Sequence, residues 1–286
     1  MYEKIIVGYD NSEFSKAALC ATGSWIRRHG GEAVLTHAVF FSEEEFASLP
    51  EQREQRFKLG RSMCSTARDG MSEELGLNGN LHAFVCEGEP HEVLIDMAKA
   101  KNADLIALGT HGRKGLKKIF MGSVTSRVLQ LSQCDVLVVK PSSECGMQFG
   151  SILLSYDGSP FSKKALQRAC ELAKIEGSEI TALYVIPRYE EALEFISSSI
   201  IKGDIVHDAG KILDEATSIA AEIGIEMRTE IKDGSEAEKT VEAARKLQSQ
   251  LIIRGTHGWT GFNKAIIGSV IENIIVNAPC PVLAVR

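Results

Sequence analysis

Short apolar runs alternate along the chain with longer segments in which apolar residues recur every three or four positions. The runs are rich in Ile and Val and have the length of buried strands, whereas the longer segments have the spacing of amphipathic helices. Strands are predicted near 4–9, 33–41, 81–86, 104–108 and 136–140, with helices near 12–29, 42–76, 90–101 and 123–132. This alternation predicts a parallel sheet covered on both faces.

The same pattern returns in the second half of the chain. Tyr9-Asp10 is matched by Tyr156-Asp157, and the Gly-Thr-His-Gly sequence that begins at Gly109 is matched by one that begins at Gly255. Strands of the second copy are predicted near 151–156, 179–186, 225–231, 250–254 and 282–286. We therefore predict a duplicated domain, with the first copy in 1–140, a polar linker in 141–149 and the second copy in 150–286.

Each copy is predicted to be a doubly wound α/β domain. Right-handed crossovers let strands one to three grow in one direction and strands four and five in the other, which gives a five-stranded parallel sheet of order 3-2-1-4-5. The linker spans at most about 30 Å, so the copies are expected to be neighbours. The last strand of each copy lies at a sheet edge that needs a partner. We predict that 136–140 and 282–286 pair, so that the tandem repeat packs as a pseudo-dimer.

The most informative motif is a glycine loop. Gly109-x-x-Gly112 follows the fourth strand, and Gly122-Ser123 comes nine residues later at the start of a helix. Glycines let backbone N–H groups approach an anion, and a helix start adds unpaired N–H groups and the positive end of its dipole. Asp10 ends the first strand, across the switch point where such sheets bind ligands. The motif predicts a phosphate site; the alternative is that the glycines only form turns and that Asp10 is an N-cap or turn residue.

These motifs resemble those of the universal stress protein family in its tandem two-domain form, over essentially the whole chain. The nucleotide-binding members carry Gly-x2-Gly-x9-Gly-Ser/Thr, and both copies match it. The resemblance implies adenosine contacts from Asp10 and Asp157, adenine contacts from Ala38 and Val185, and ribose contacts from Gly109 and Gly255. At the phosphates it places Gly112, Gly122, Ser123, Val124 and Thr125 in the first copy, and Gly258, Gly268, Ser269 and Val270 in the second.

The two copies differ at several of these positions. The family usually has Val at the adenine position, so Ala38 departs from the pattern, and Ile271 replaces Thr125, whose hydroxyl is a candidate to hold a phosphate oxygen. Arg254 replaces Leu108 and is read either as an exposed strand end or as a donor into the crevice. The first loop also has the cations Arg113, Lys114, Lys117 and Lys118 where the second has Trp259, Thr260, Asn263 and Lys264. We predict that the first copy prefers a triphosphate and that the second binds more weakly or takes a less charged nucleotide.

Composition and charge narrow the class of protein. A net charge of −6 argues against a general nucleic-acid binder but permits a small anionic ligand. Seven scattered cysteines without a C-x-x-C pair predict reduced thiols, and the sequence has no secretory signal and no apolar run long enough to cross a membrane. We therefore expect a cytoplasmic protein. The histidines lack metal-ligand spacing, His111 and His257 are expected to be structural, and Mg²⁺ is expected only in company with ATP phosphates.

The sequence lacks the motifs of other ATP-dependent and hydrolytic enzymes. It contains no Walker loop, dinucleotide fingerprint or nucleophile elbow, and no catalytic base can be named. We therefore expect no enzyme, but a regulatory protein that binds ATP or AMP, with stress response implied by the resemblance. The alternatives are a scaffold that works without nucleotide and a slow ATP hydrolase. The resemblance also implies a homodimer of tandem chains and a protein partner, and the choice among ATP, AMP and a cyclic nucleotide stays open.

Overall fold

A computed structural model describes residues 1–41, 50–77, 79–112, 121–141, 148–187, 199–256 and 268–286, apart from the side chains of 199–203. The chain forms two compact units, Met1–Met147 and Gln148–Arg286. They are called unit 1 and unit 2 below. The packing of the units on each other stays a prediction.

Unit 1 is a doubly wound α/β sheet with helices on both faces. Its elements are β1 (Lys4–Gly8), α1 (Glu13–His29), β2 (Glu32–Val39), α2 (Pro50–Leu75), β3 (Leu81–Glu87), α3 (Pro90–Lys101), β4 (Leu105–Gly109), α4 (Ser123–Leu131) and β5 (Asp135–Val139). The strands are parallel and ordered β3-β2-β1-β4-β5. This order confirms the predicted topology, and only residues 42–49 of the predicted second helix lie outside the described residues.

Unit 2 repeats the same architecture. Its elements are β6 (Ser151–Ser155), α5 (Pro160–Glu176), β7 (Glu179–Ile186), α6 (Ser199–Glu222), β8 (Met227–Asp233), α7 (Glu236–Lys246), β9 (Leu251–Gly255), α8 (Ser269–Asn277) and β10 (Val282–Val285). Parallel pairing gives the order β10-β9-β6-β7-β8. The order is again the predicted one, although β8 begins and ends two residues later than expected.

Local sequence explains where the first helix of each unit begins. Ser12 precedes α1 with extended backbone angles, and its hydroxyl accepts a hydrogen bond from the Ser15 N–H. Ser159 does the same for α5 by accepting from the Ser162 N–H, and Pro160 occupies the first helical position. Serine at the N-cap satisfies an N–H that the helix leaves unpaired, and proline there needs no such partner. These starts set the α1 and α5 N-termini beside the carboxyl ends of β1 and β6.

The central strands form the core of each unit. All five residues of β4 and of β9 are buried, which agrees with the continuous apolar runs expected for strands that are covered on both faces. The outermost strands β3 and β8 contain more exposed residues. No helix in the described ranges has the length and apolar character needed to cross a bilayer.

One expectation about the cysteines is wrong. Cys20 on α1 is disulfide-bonded, whereas the sequence predicted that all thiols are reduced. The other cysteines of the described ranges form no disulfide, namely Cys64, Cys86, Cys134, Cys170 and Cys280. Spacing alone did not distinguish Cys20 from them.

Candidate functional site

In unit 1 the sheet brings Asp10 and the glycine loop to the same edge. Strands β1 and β4 are paired in parallel, with Val7 opposite Ala107, so the residues that follow both strands emerge together. A Cβ added to Gly112 would lie only 2.8 Å from Asp10 Oδ2. Because glycine has no side chain, the loop backbone can approach the carboxylate. The structure therefore brings together two of the predicted site residues that lie far apart in the sequence.

The Asp10 carboxylate also shapes the turn that leads into α1. Its Oδ1 accepts hydrogen bonds from the Ser12 N–H at 3.0 Å and from the Ser12 hydroxyl at 2.6 Å. The alternative interpretation of Asp10 as a turn residue is thus correct for one oxygen, while the other oxygen faces Gly112. The Asp10 side chain contacts both the turn before α1 and Gly112 because its two oxygens point toward these two segments.

The far end of the loop returns to the end of β4. The Gly122 N–H donates to the Thr110 carbonyl at 2.9 Å, and a Cβ on Gly122 would lie 3.1 Å from that same oxygen. Gly122 is the N-cap of α4 and has no side chain with which to cap the helix. Gly112 and Ser123 are exposed. The first N–H groups of α4 therefore lie at a helix start flanked by exposed residues, and such helix starts can bind anions.

Gly109 has a packing reason to be glycine. It is buried, and an added Cβ would lie 2.5 Å from Phe14 Cβ and 2.7 Å from the Phe14 carbonyl carbon. Gly255 meets Phe161 in the same way, at 2.7 and 2.6 Å. Real Cβ atoms do not approach backbone atoms this closely, so glycine at these positions lets α1 and α5 pack on their sheets. The predicted ribose contact of Gly109 and Gly255 stays a prediction.

Thr125 makes a contact with the backbone that the sequence did not suggest, and its phosphate contact stays a prediction. Its side chain is buried, and its hydroxyl donates to the Gly109 carbonyl at 2.8 Å. The hydroxyl proton is therefore directed at the carbonyl that ends β4. Val124, the residue before it, is half-buried.

The predicted adenine positions lie at the ends of the second strand of each unit. Ala38 is half-buried and Val185 is buried. The ring of His37, next to Ala38, places Nδ1 2.8 Å from the Tyr9 carbonyl, which links the end of β2 to the residue before Asp10. These positions lie at the same carboxyl edge as the aspartates.

Unit 2 keeps part of this geometry in its described residues. Asp157 Oδ1 accepts from the Ser159 N–H at 2.9 Å, as Asp10 does from Ser12. Gly268 and Ser269 are exposed at the start of α8, and Val270 is half-buried. Gly258 and His257 lie outside the described residues, as do the loop positions that distinguish the two copies in charge: Arg113, Lys114, Lys117, Lys118, Trp259, Thr260, Asn263 and Lys264.

Arg254 contradicts the interpretation as an exposed strand end. It is 8% exposed, and its Nη1 donates to Ser155 Oγ at 2.8 Å. Its guanidinium also forms an ion pair with both carboxylate oxygens of Glu236, the first residue of α7. Burial lowers the pKa of Arg254 to about 10, an effect that the nearby Asp157 carboxylate opposes. The arginine is therefore still charged at neutral pH, and its donors are engaged within the protein.

Sequence reasoning missed the partners of Arg254, although the repeat contained a signal. At the matching positions of unit 1, Ser155 becomes Gly8, Arg254 becomes Leu108 and Glu236 becomes Pro90. In unit 1 this region is apolar, since a Cβ on Gly8 would lie 2.4 Å from Leu108 Cδ2. Three substitutions that change together indicate residues in contact.

His111 has structural contacts in the first loop. Its Nδ1 lies 3.0 Å from the Thr110 hydroxyl, and its ring centroid lies 5.1 Å from that of Phe14. No group of three or more His, Cys, Asp or Glu residues able to hold a metal occurs in the part of the chain that the structure describes.

The fold agrees with comparisons to known proteins. A model of the universal stress protein family matches residues 1–140 and again 148–286. The chain belongs to this family. Universal stress protein MJ0531 of Methanocaldococcus jannaschii is 33% identical over 144 residues, which are 48% of this chain and 82% of that protein. Each half of the chain thus corresponds to one family domain.

Full-length relatives share the tandem arrangement. A universal stress protein of Mycolicibacterium smegmatis is 24% identical over 99% of this chain and 96% of its own length. The crystal structure of a universal stress protein from Archaeoglobus fulgidus aligns with a TM-score of 0.77 at 22% identity, covering 100% of this chain and 99% of that one. At this identity the likeness establishes the fold, and the family model establishes the membership.

Proposed function

We propose that this member of the universal stress protein family binds adenine nucleotides, ATP or AMP, and acts as a regulatory protein whose partner affinity depends on occupancy. The observation that supports this most is the convergence in unit 1 of the Asp10 carboxylate, the Gly112 backbone and the Gly-capped start of α4. A carboxylate beside a glycine loop can accept from sugar hydroxyls while helix N–H groups hold phosphate. Occupancy then shifts a partner equilibrium only through different affinities for two states.

The direct test is calorimetry with ATP, AMP, cyclic AMP and GTP on the full chain. Gly112→Ala places a methyl group 2.8 Å from Asp10 Oδ2, so we expect the affinity of unit 1 to fall at least tenfold. Gly70→Ala is the matched control, because a Cβ at this exposed position in α2 meets nothing within 4 Å. Equal nucleotide affinities for the two variants, or no binding by the native chain, would refute the proposal and favour a nucleotide-independent scaffold.

The proposal is one of binding without rapid turnover. The contacts of His111 with Thr110 and Phe14 support a structural role for this histidine, and slow hydrolysis would act only as a timer on the bound state. Phosphate release measured with and without Mg²⁺ tests this point. A turnover number near the range of ordinary enzymes, about 1 per second or more, would overturn it.

A further inference from the structure

The two units differ at one buried position directly after the glycine loop. Thr125 lies in the first turn of α4 and is 4% exposed, and Ile271 occupies the same place in α8 and is 2% exposed. The helices begin alike, because the N-cap Gly122 has φ −62° and ψ 142° and the N-cap Gly268 has φ −61° and ψ 132°. The N-cap backbone angles therefore match, although an added Cβ would lie 3.1 Å from the Thr110 carbonyl at Gly122 and would meet no described atom within 4 Å at Gly268.

In unit 1 this position fastens the start of the helix to the end of the strand. The Thr125 hydroxyl donates to the Gly109 carbonyl at 2.8 Å. A second hydrogen bond, from the Gly122 N–H to the Thr110 carbonyl at 2.9 Å, joins the same two segments. Together they hold both ends of the glycine loop at a fixed separation. Isoleucine has no donor, so Ile271 cannot make the first of these bonds to Gly255.

We propose that Thr125 is a positioning residue that holds the two ends of the unit 1 glycine loop, at Gly109 and Gly122, in place before a ligand arrives. Unit 1 consequently binds phosphate-bearing nucleotides more tightly than unit 2, in which Ile271 cannot supply this hydrogen bond. This inference rests on the proposed function. Thr125 acts through the backbone, since its proton is directed at Gly109. Ordering that precedes binding raises affinity because less freedom is lost in the complex.

The size of the effect follows from the hydrogen bond. A neutral intramolecular hydrogen bond changes an equilibrium by about fivefold, so its removal lowers the ATP affinity of unit 1 by at most about that factor. Adenosine lacks the phosphates that the loop would hold, and its affinity changes less. The effect on ATP therefore exceeds the effect on adenosine.

The affinity test uses chains with one site blocked. Gly268→Asp leaves unit 1 to be measured, and in this background Thr125→Val removes only the hydroxyl. Thr22→Val is the matched control, because Thr22 is equally buried and its hydroxyl donates to the Ala18 carbonyl at 2.9 Å within α1. In a Gly122→Asp background, Ile271→Thr is compared with Ile271→Val. We expect weaker ATP binding for Thr125→Val alone, and tighter binding for Ile271→Thr alone.

Amide hydrogen exchange without ligand gives a second measurement. Exchange at the Gly122 N–H is expected to be faster in Thr125→Val and unchanged in Thr22→Val. Equal affinity losses for the two threonine variants, or unchanged exchange at Gly122, would overturn the positioning role. A Gly268→Asp parent that does not bind ATP at all would instead refute the proposed function of unit 1, and the exchange measurement would still judge the role of Thr125 in the loop.

Discussion

The Arg254–Glu236 ion pair leads to a specific prediction about stability, because unit 1 has uncharged residues at the matching positions. Removing one partner of a buried ion pair leaves the other charge unpaired and costs about 3–5 kcal/mol. The Arg254 side chain is 10% exposed and that of Glu236 is 26% exposed, so some water reaches the pair. We therefore expect Glu236→Gln to lower the free energy of unfolding of unit 2 by about 3 kcal/mol, at the low end of that range.

Replacing the whole cluster should have the opposite outcome. Ser155→Gly, Glu236→Pro and Arg254→Leu install the three unit 1 residues, and Thr240→Leu adds the counterpart of Leu94, which packs beside Gly8 in unit 1. In unit 1 those residues pack closely, since a Cβ on Gly8 would approach Leu108 Cδ2 to 2.4 Å and Leu94 Cδ1 to 3.2 Å. Exchange of a buried ion pair for well-packed apolar residues is neutral or stabilises by about 1–4 kcal/mol. The fourfold variant should thus be at least as stable as the native chain.

The assay is urea unfolding followed by hydrogen exchange and mass spectrometry, which resolves the two units. Calorimetry should show a fall in the Tm of unit 2 of about 10 °C for Glu236→Gln. Glu179→Gln is the control, because it breaks the Arg228–Glu179 pair, whose side chains are 67% and 70% exposed, and it should cost under about 1 kcal/mol. If Glu236→Gln were no worse than Glu179→Gln, or the fourfold variant were the least stable, the reasoning about the buried charge would be wrong.

Three further results are expected from the packing of single residues. Tyr156→Phe should leave the stability of unit 2 unchanged in urea titrations, because the buried Tyr156 hydroxyl has no hydrogen-bond partner among the described residues. Tyr9→Phe should instead cost about 1 kcal/mol, because the Tyr9 hydroxyl donates to a side-chain oxygen at 3.2 Å. Burial raises the pKa of Tyr156 from 10.0 to about 12, so the tyrosine keeps its proton to higher pH in the folded protein than in the unfolded chain. The stability of unit 2 should therefore fall as the pH rises between these two values, and Tyr156→Phe should remove this pH dependence. Gly109→Ala should destabilise unit 1 by about 2 kcal/mol, because the new Cβ would lie 2.7 Å from a backbone atom. If thermal unfolding showed that Gly109→Ala lowers stability no more than Gly70→Ala does, this explanation would be contradicted.

Much of the fold could be predicted because it depends on periodicity along the chain. Apolar runs and helical spacing predicted every strand and helix, and the chirality of crossovers then fixed the order 3-2-1-4-5 in both units. The convergence of Asp10 with Gly112 followed from the same topology, since both segments leave the carboxyl ends of neighbouring strands. These features need no knowledge of individual side-chain contacts.

Side-chain contacts across the sheet were harder to predict. The ribose contact of Gly109 stays a prediction, whereas its contact with Phe14 was not foreseen because it depends on how closely α1 packs on β4. Thr125 was assigned to phosphate, but its rotamer directs the hydroxyl to a backbone carbonyl. Arg254 was judged as a single substitution, whereas its meaning depends on Glu236. In each case the deciding partner is distant in sequence, and spacing within one motif contains no information about it.

One set of contacting residues differs between the two repeats: unit 1 has Gly8, Leu108 and Pro90 where unit 2 has Ser155, Arg254 and Glu236. This difference also restricts how the two repeats can recombine. A crossover within the domains would combine a strand of unit 1 with a strand of unit 2 in the same sheet. Serine opposite Leu108 would place a Cβ 2.4 Å from Leu108 Cδ2, and leucine opposite Glu236 would remove the carboxylate's partner. A hybrid domain that mixes the two sets of residues is therefore expected to be less stable than either repeat.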